Sequence, residues 1–150
     1  MARSKNNVST SKLLTMIREA GTFEEAVSYH ETENDPLFND ILYKMIQERD
    51  LTPKDIIIAS GIDRSYFYHI LSGVKMPGRN MVLRIGFCLH ASLNEMNHLL
   101  ILAGANSLYP RIRRDAALIY AIQQKYTMEQ ANELLLNEGE EPLFWKRKNA

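Results

Sequence analysis

The chain has 150 residues, 45% of them hydrophobic and 24% charged, the balance of an ordinary globular protein, which excludes wholesale disorder, collagen and a coiled-coil rod. Its 18 Lys and Arg equal its 18 Asp and Glu, so no global positive field draws it to nucleic acid or an anionic membrane, and any nucleic-acid role must come from a local patch. The single cysteine, Cys88, excludes an intramolecular disulfide and a thiolate-rich zinc cage and suits a reducing cytosol.

The opening MARSKNNVSTSK lacks the apolar stretch of a signal peptide. Apolar runs such as Leu99 to Ala103 fall far short of the ~20 residues that span a bilayer, so a cytoplasmic protein without a membrane partner is expected. Five prolines and seven glycines fall between apolar stretches of helical spacing, which is an all-α signature. Residues 1–35 are thin in apolar content and read as an N-terminal helical arm, frayed over its first ten residues. Its helices are expected over 11–20 and, capped by Thr22 with Glu25 after Gly21, over 23–31. Asp35-Pro36 opens a helix over 36–49, and Thr52-Pro53, with Asp55 three residues after the cap, opens 53–60. Asp63 caps 64–71, which Gly73 stops. Further helices follow over 79–90, over 93–103 (Ser92 with Glu95, stopped by Gly104), over 114–125, and over 128–138 (Thr127 with Gln130, stopped by Gly139). The basic tail Lys146-Arg147-Lys148 reads as frayed.

Residues 51–73, LTPKDIIIASGIDRSYFYHILSG, hold the informative pattern. A short capped helix ends near Ser60, Gly61-Ile62-Asp63 makes a tight turn, and a second helix runs to Gly73. In a helix-turn-helix of this kind the second helix enters the major groove while the first lies across the backbone. Ile56, Ile62, Phe67 and Ile70 form the expected seam between the helices, which leaves Arg64, Ser65, Tyr66, Tyr68 and His69 facing outward. A structural corner with an ordinary polar surface is the competing interpretation.

The stretch from about Leu37 to Leu102 resembles the XRE/Cro-type family of helix-turn-helix proteins. The likeness lies in Glu48-Arg49-Asp50-Leu51-Thr52 before the second helix, Gly61-Ile62-Asp63-Arg64-Ser65 at the turn, Ile70-Leu71-Ser72-Gly73 at the end of the recognition helix, and Lys75-Met76-Pro77 before the fourth helix. The resemblance implies a five-helix domain and a bacterial or phage-type transcriptional regulator that binds double-stranded DNA. It departs from the family at Ile57, where a small residue is usual, at Pro53, where a glutamine contacts the DNA backbone, and at Leu71, where glutamate is usual. The domain plan is therefore an arm over 1–35, an XRE-like domain over 36–105, and a C-terminal helical hairpin over 106–150 packed on it.

An offset of 35 residues aligns 79–109 with 114–144 and matches Arg79 with Arg114, Leu83 with Leu118, Asn97 with Asn132, Leu99-Leu100 with Leu134-Leu135, Gly104 with Gly139 and Leu108 with Leu143. A matched cap, helix, glycine stop and Leu-aromatic step reads as two tandem helical hairpins, too few for a solenoid. Between them, Tyr109-Pro110-Arg111-Ile112-Arg113-Arg114 is a local basic cluster, with two alternatives open: phosphate contact, or an Arg114–Asp115 ion pair on a solvated face. The stretch Pro142-Leu143-Phe144-Trp145 either folds back or offers an aromatic anchor to a partner.

The four histidines show no metal-ligand spacing, and no phosphate-cradling glycine loop or nucleophile motif occurs, so neither metal, cofactor nor enzymatic activity is expected. Cys88 reads as a small core residue. In the expected mechanism Arg64, Ser65, Tyr66, Tyr68 and His69 face base edges and sugar-phosphate, Lys54, Lys75 and Arg79 hold phosphates, and a homodimer doubles the contacts. The alternative is an adaptor that uses the aromatic helix to bind another protein.

Overall fold

The structure, a computed structural model, describes residues 10–26 and 36–145. These contain nine α-helices and no strand. The chain divides into two compact units, 1–37 and 38–150. The first holds α1 (Thr10–Glu19) and α2 (Phe23–Ala26). At the start of α2 the Glu25 amide donates to Thr22 Oγ1 at 3.1 Å, and the Gly21 amide donates to the Glu25 carboxylate at 2.7 Å. The reciprocal bond thus closes one residue before the predicted cap. The predicted continuation to residue 31 lies largely outside the described residues, as do the ends read as frayed, apart from residue 10.

The second unit contains α3 (Phe38–Glu48), α4 (Pro53–Ser60), α5 (Arg64–Leu71), α6 (Arg79–Cys88), α7 (Leu93–Leu102), α8 (Arg113–Gln123) and α9 (Met128–Asn137). Three tight elbows organise six of these seven helices into hairpins. Asp50, His90 and Lys125 adopt φ of 55°, 57° and 59°, the left-handed conformation that ends a helix. After each, the next amide reaches back five residues to close the helix end: Leu51 to the Ile46 carbonyl, Ala91 to Gly86 and Tyr126 to Ala121, at 2.9 to 3.0 Å. A capping box then starts the next helix, Thr52 with Asp55, Ser92 with Glu95 and Thr127 with Gln130. The sequence pattern places glycine at such positions. These elbows have none, which is why the predicted helices 79–90 and 114–125 overran into them.

The 35-residue repeat extends to the hydrogen bonds. Asn97 Oδ1 accepts from the Leu108 amide at 2.8 Å, and Asn132 Oδ1 accepts from the Leu143 amide at 2.7 Å. Arg79 donates to the carbonyls of Asn106 and Ser107, and Arg114 to those of Glu141 and Pro142. Each arginine thereby ties the start of its hairpin to the loop that leaves it. The two copies also grip each other. Arg79 makes a two-pronged ion pair with Asp115 (3.1 and 2.9 Å), and Arg114 donates to Asn80 Oδ1 at 2.8 Å. The Arg114–Asp115 pair, one of the two alternatives for the basic cluster, is replaced by pairing between the copies, because the Asp115 side chain is buried and turned toward α6.

One apolar core runs through the unit. Leu42, Ile46, Ile56, Ile62, Phe67 and Ile70 continue through Leu83, Ile85, Leu99 and Leu100 into Leu118, Leu135 and Leu143. Gly86 permits α6 and α7 to approach, since a Cβ there would lie 2.3 Å from Met96 Sδ. Pro142 and Leu143 fold back and are buried, while Trp145 stays exposed. Arg49 anchors the first hairpin to the second, donating to the Leu89 carbonyl and to Glu95, both at 2.7 Å.

Two stability outcomes follow from these clasps. Asp115→Ala leaves the Arg79 guanidinium and the Tyr109 amide without their acceptor and is expected to lower the unfolding free energy by about 3 to 5 kcal/mol. The midpoint of urea unfolding reads this directly, and an unchanged midpoint would contradict it. At Glu95, burial acts upward, but the Ser92 amide and the Arg49 guanidinium outweigh it and hold the carboxyl below its ordinary 4.5. A depressed carboxyl contributes stability above its unfolded value and loses it as pH falls through the folded one. The stability gap between the parent chain and Glu95→Gln should therefore narrow as pH drops from about 6 to about 3. A gap independent of pH would refute the assignment.

Candidate nucleic-acid interface

The turn between α4 and α5 is built from local bonds. Ser60 is buried, its Oγ accepting the Ile62 amide at 3.2 Å. Gly61 supplies φ of 71°, and Ile62 plugs into the core. Asp63 then caps α5 by accepting the Tyr66 amide at 3.1 Å. Ile56, Ile62, Phe67 and Ile70 are buried and make the seam expected between the two helices. Pro53 occupies the first turn of α4, and Ile57 and Leu71 are half-buried against the core. The Leu71 carbonyl accepts from Asn39 Nδ2 at 3.2 Å, which fastens the end of α5 to α3.

This framework presents Arg64, Ser65, Tyr68 and His69 on the exposed side of α5, whereas Tyr66 is half-buried against the core and offers only part of its ring. The Arg64 guanidinium lies over the Tyr68 ring, 5.5 Å from its centroid. Stacking of this kind engages the flat face and leaves the edge N–H groups free for a planar acceptor. Lys54, in the first turn of α4, and Lys75, just beyond α5, are exposed and enter no ion pair among the described residues. The acids beside them in sequence are turned away. Asp55 accepts the Thr52 amide at 2.8 Å, and Asp63 accepts the Tyr66 amide, so each carboxylate sits on a helix N-terminus whose dipole offsets it.

Arg79 does not join this group. All three of its guanidinium nitrogens are engaged by Asp115, Asn106 and Ser107, so it holds the fold and is not presented to phosphate. The basic cluster before α8 is likewise largely consumed: Arg113 pairs with Glu138 and Glu140, and Arg114 binds Asn80 and two carbonyls. Sequence reasoning passed over Arg84 and Asn39. For Arg84 the available signal was a lone charge inside the apolar run from Met81 to Cys88.

No protein-family model, curated protein or solved structure matches the chain. Among the described residues no group of His, Cys, Asp and Glu is placed to hold a metal ion, and no helix is long and apolar enough to cross a membrane.

Cys88 lies on α6 beside Met128, with Sγ 4.0 Å from Sδ. Burial, reinforced by the Glu129 charge, pushes its thiol up to about 11. At pH 8 only roughly one molecule in a thousand would carry the reactive thiolate. Alkylation by iodoacetamide at that pH should be slow in the native protein and fast in urea. Rapid native alkylation would show the thiol to be available for chemistry.

Proposed function

We propose that the chain is a sequence-specific DNA-binding transcriptional regulator in which α5 reads the major groove. The observation that carries this reading is the exposed edge of α5. Arg64 is pre-oriented on Tyr68 with its donors free, and Lys54 and Lys75 flank it without acidic partners. An arginine held in this way suits bidentate pairing to the O6 and N7 of guanine, while the lysines suit phosphates. The resemblance of the sequence to the XRE/Cro-type family supports this reading, with α3 to α7 as the five helices of the proposed domain. With Arg79 engaged inside the protein, the reading set becomes Arg64, Ser65, Tyr68 and His69, with Tyr66 partly available and Lys54 and Lys75 as positioning contacts. One eight-residue helix reaches few bases, so the working unit is a two-fold dimer spanning half-sites about 34 Å apart.

A second reading, an adaptor that binds protein, is favoured by one observation. Tyr43 and Tyr68, both substantially exposed, border a cleft of about 290 Å³ with Asn39, Leu71 and Ser72. Exposed tyrosines around a concave patch are the usual anchors of protein interfaces.

Gel shifts against the DNA upstream of the protein's own coding region, repeated across salt concentrations, separate the two. For a DNA reader, Arg64→Ala should lose roughly 1 to 3 kcal/mol and relax preference at one base position. Lys75→Ala should weaken all sequences alike and lower the salt slope by about one. Arg79→Ala should instead act through stability. Absence of any salt-sensitive, sequence-preferring shift, with Tyr68→Ala abolishing a protein–protein contact, would favour the adaptor and overturn the DNA reading.

A further inference from the structure

Behind the helix-turn-helix lies a cavity of about 600 Å³, lined by Ile58 and Ser60 of α4, Arg84 of α6, Met128 and Glu129 of α9, and the returning Phe144-Trp145. Its volume is within the range of small-molecule sites. The charges in it are not satisfied by each other. Arg84 Nη2 donates to the Ser60 carbonyl at 2.7 Å, and the guanidinium lies over the Phe144 ring, 5.2 Å from its centroid. Its Nε–H is buried without an acceptor, and Nη1 makes no hydrogen bond among the described residues. Arg49, Arg79 and Arg113 each meet a carboxylate, but among the described residues Arg84 meets none within 4.0 Å, although Glu129 lines the same cavity. Glu129 is exposed in the first turn of α9 and makes no ion pair there.

A partly buried cation without a counter-charge is costly, and a bound anion relieves it. A simple carboxylate, however, would face repulsion from Glu129. The one small species that answers both charges carries a carboxylate and an ammonium together, and the remaining walls, Ile58, Met128, Phe144 and Trp145, call for an apolar body. We propose that this cavity binds a zwitterionic amino acid with an apolar side chain of about the size of phenylalanine, its carboxylate on Arg84 and its ammonium on Glu129. The site stands apart from the exposed face of α5 and does not depend on what that face binds. Arg84 also holds the carbonyl of Ser60, next to Gly61 of the turn.

Trp145 is the only tryptophan in the chain and lines the cavity, so its fluorescence, excited where phenylalanine does not absorb, reports occupancy in the full-length protein. Titration with L-phenylalanine should give a saturable change with Kd near or below about 1 mM. 3-Phenylpropanoate, which lacks the ammonium, and 2-phenylethylamine, which lacks the carboxylate, should each bind at least about tenfold more weakly, equivalent to about 1.4 kcal/mol. Glu129→Gln, a surface change that leaves the fold intact, should erase the preference for phenylalanine over 3-phenylpropanoate. Arg84→Gln should erase the preference over 2-phenylethylamine. If the loss of the Ser60 bond unfolds that variant, as circular dichroism would reveal, the Glu129→Gln comparison decides alone. No saturable response to phenylalanine up to about 10 mM, several times the expected Kd, would overturn the proposal. So would equal binding of the three probes, or a Glu129→Gln variant that keeps the parent's preference.

Discussion

Asp115 is a carboxylate placed where a carboxylate is least welcome, in the seam between two helical hairpins, with a side chain only 3% exposed. An isolated charge there would be expelled or neutralised. It is tolerated because both prongs of Arg79 and the Tyr109 amide converge on it, and because Arg79 is in turn held by two loop carbonyls. The arrangement determines much else. It sets α8 against α6, removes Arg79 from the surface, and brings Arg114 within reach of Asn80. Apolar replacements of buried ion pairs are often as stable, but an apolar seam tolerates sliding. A bidentate pair between the first turns of the two copies admits one register.

The division between what could and could not be read from the sequence follows the range of the interactions. Helix starts were legible because caps are local: Thr52 with Asp55, Ser92 with Glu95 and Thr127 with Gln130 are complete within four residues, and all three boxes form. The buried seam of Ile56, Ile62, Phe67 and Ile70 was legible for a similar reason, since helical spacing around one turn determines which side chains meet. The repeat was legible as well, although only the coordinates show that Asn97 and Asn132 perform the same loop closure. Arg79 was misassigned because its partner lies 36 residues away, and nothing in RNMVLRIG distinguishes an arginine that turns inward from one that reaches outward. Tyr66 was placed too far outward, since α5 leans far enough on the core to cover part of its ring. The breaks near Asp50, His90 and Lys125 were placed, but the left-handed residue that makes each one was not, because without glycine its compositional mark is weak.

The candidate interface shows how a chain of zero net charge can assemble a cationic face without an excess of basic residues. The number of cations is unremarkable, and what differs is the fate of the anions. Asp55 and Asp63 are bonded to helix amides, and Glu138 and Glu140 are drawn to Arg113 on the far hairpin. Local potential is then governed by which charges are already answered inside the protein, a quantity that composition does not contain. Lys54, Arg64 and Lys75 on one side and Arg84 with Glu129 behind the turn, which enter no ion pair among the described residues, are accordingly informative.

The three elbows also bear on how the chain reaches this state. Each is closed by bonds spanning no more than six residues, so a hairpin can form its corner before any distant contact exists. Interactions between hairpins come later in such a sequence of events, since they require loops of 34 to 46 residues to close, as for Arg114 with Asn80 and Arg49 with Glu95. Proteins dominated by local contacts cross their folding barrier quickly. The arginine clasps that bind one corner to the next belong to the later class, so weakening them is expected to act mainly on the unfolding rate. Kinetic persistence is then expected to depend on the clasps of Arg49, Arg79 and Arg114, and folding speed on the corners at Asp50, His90 and Lys125.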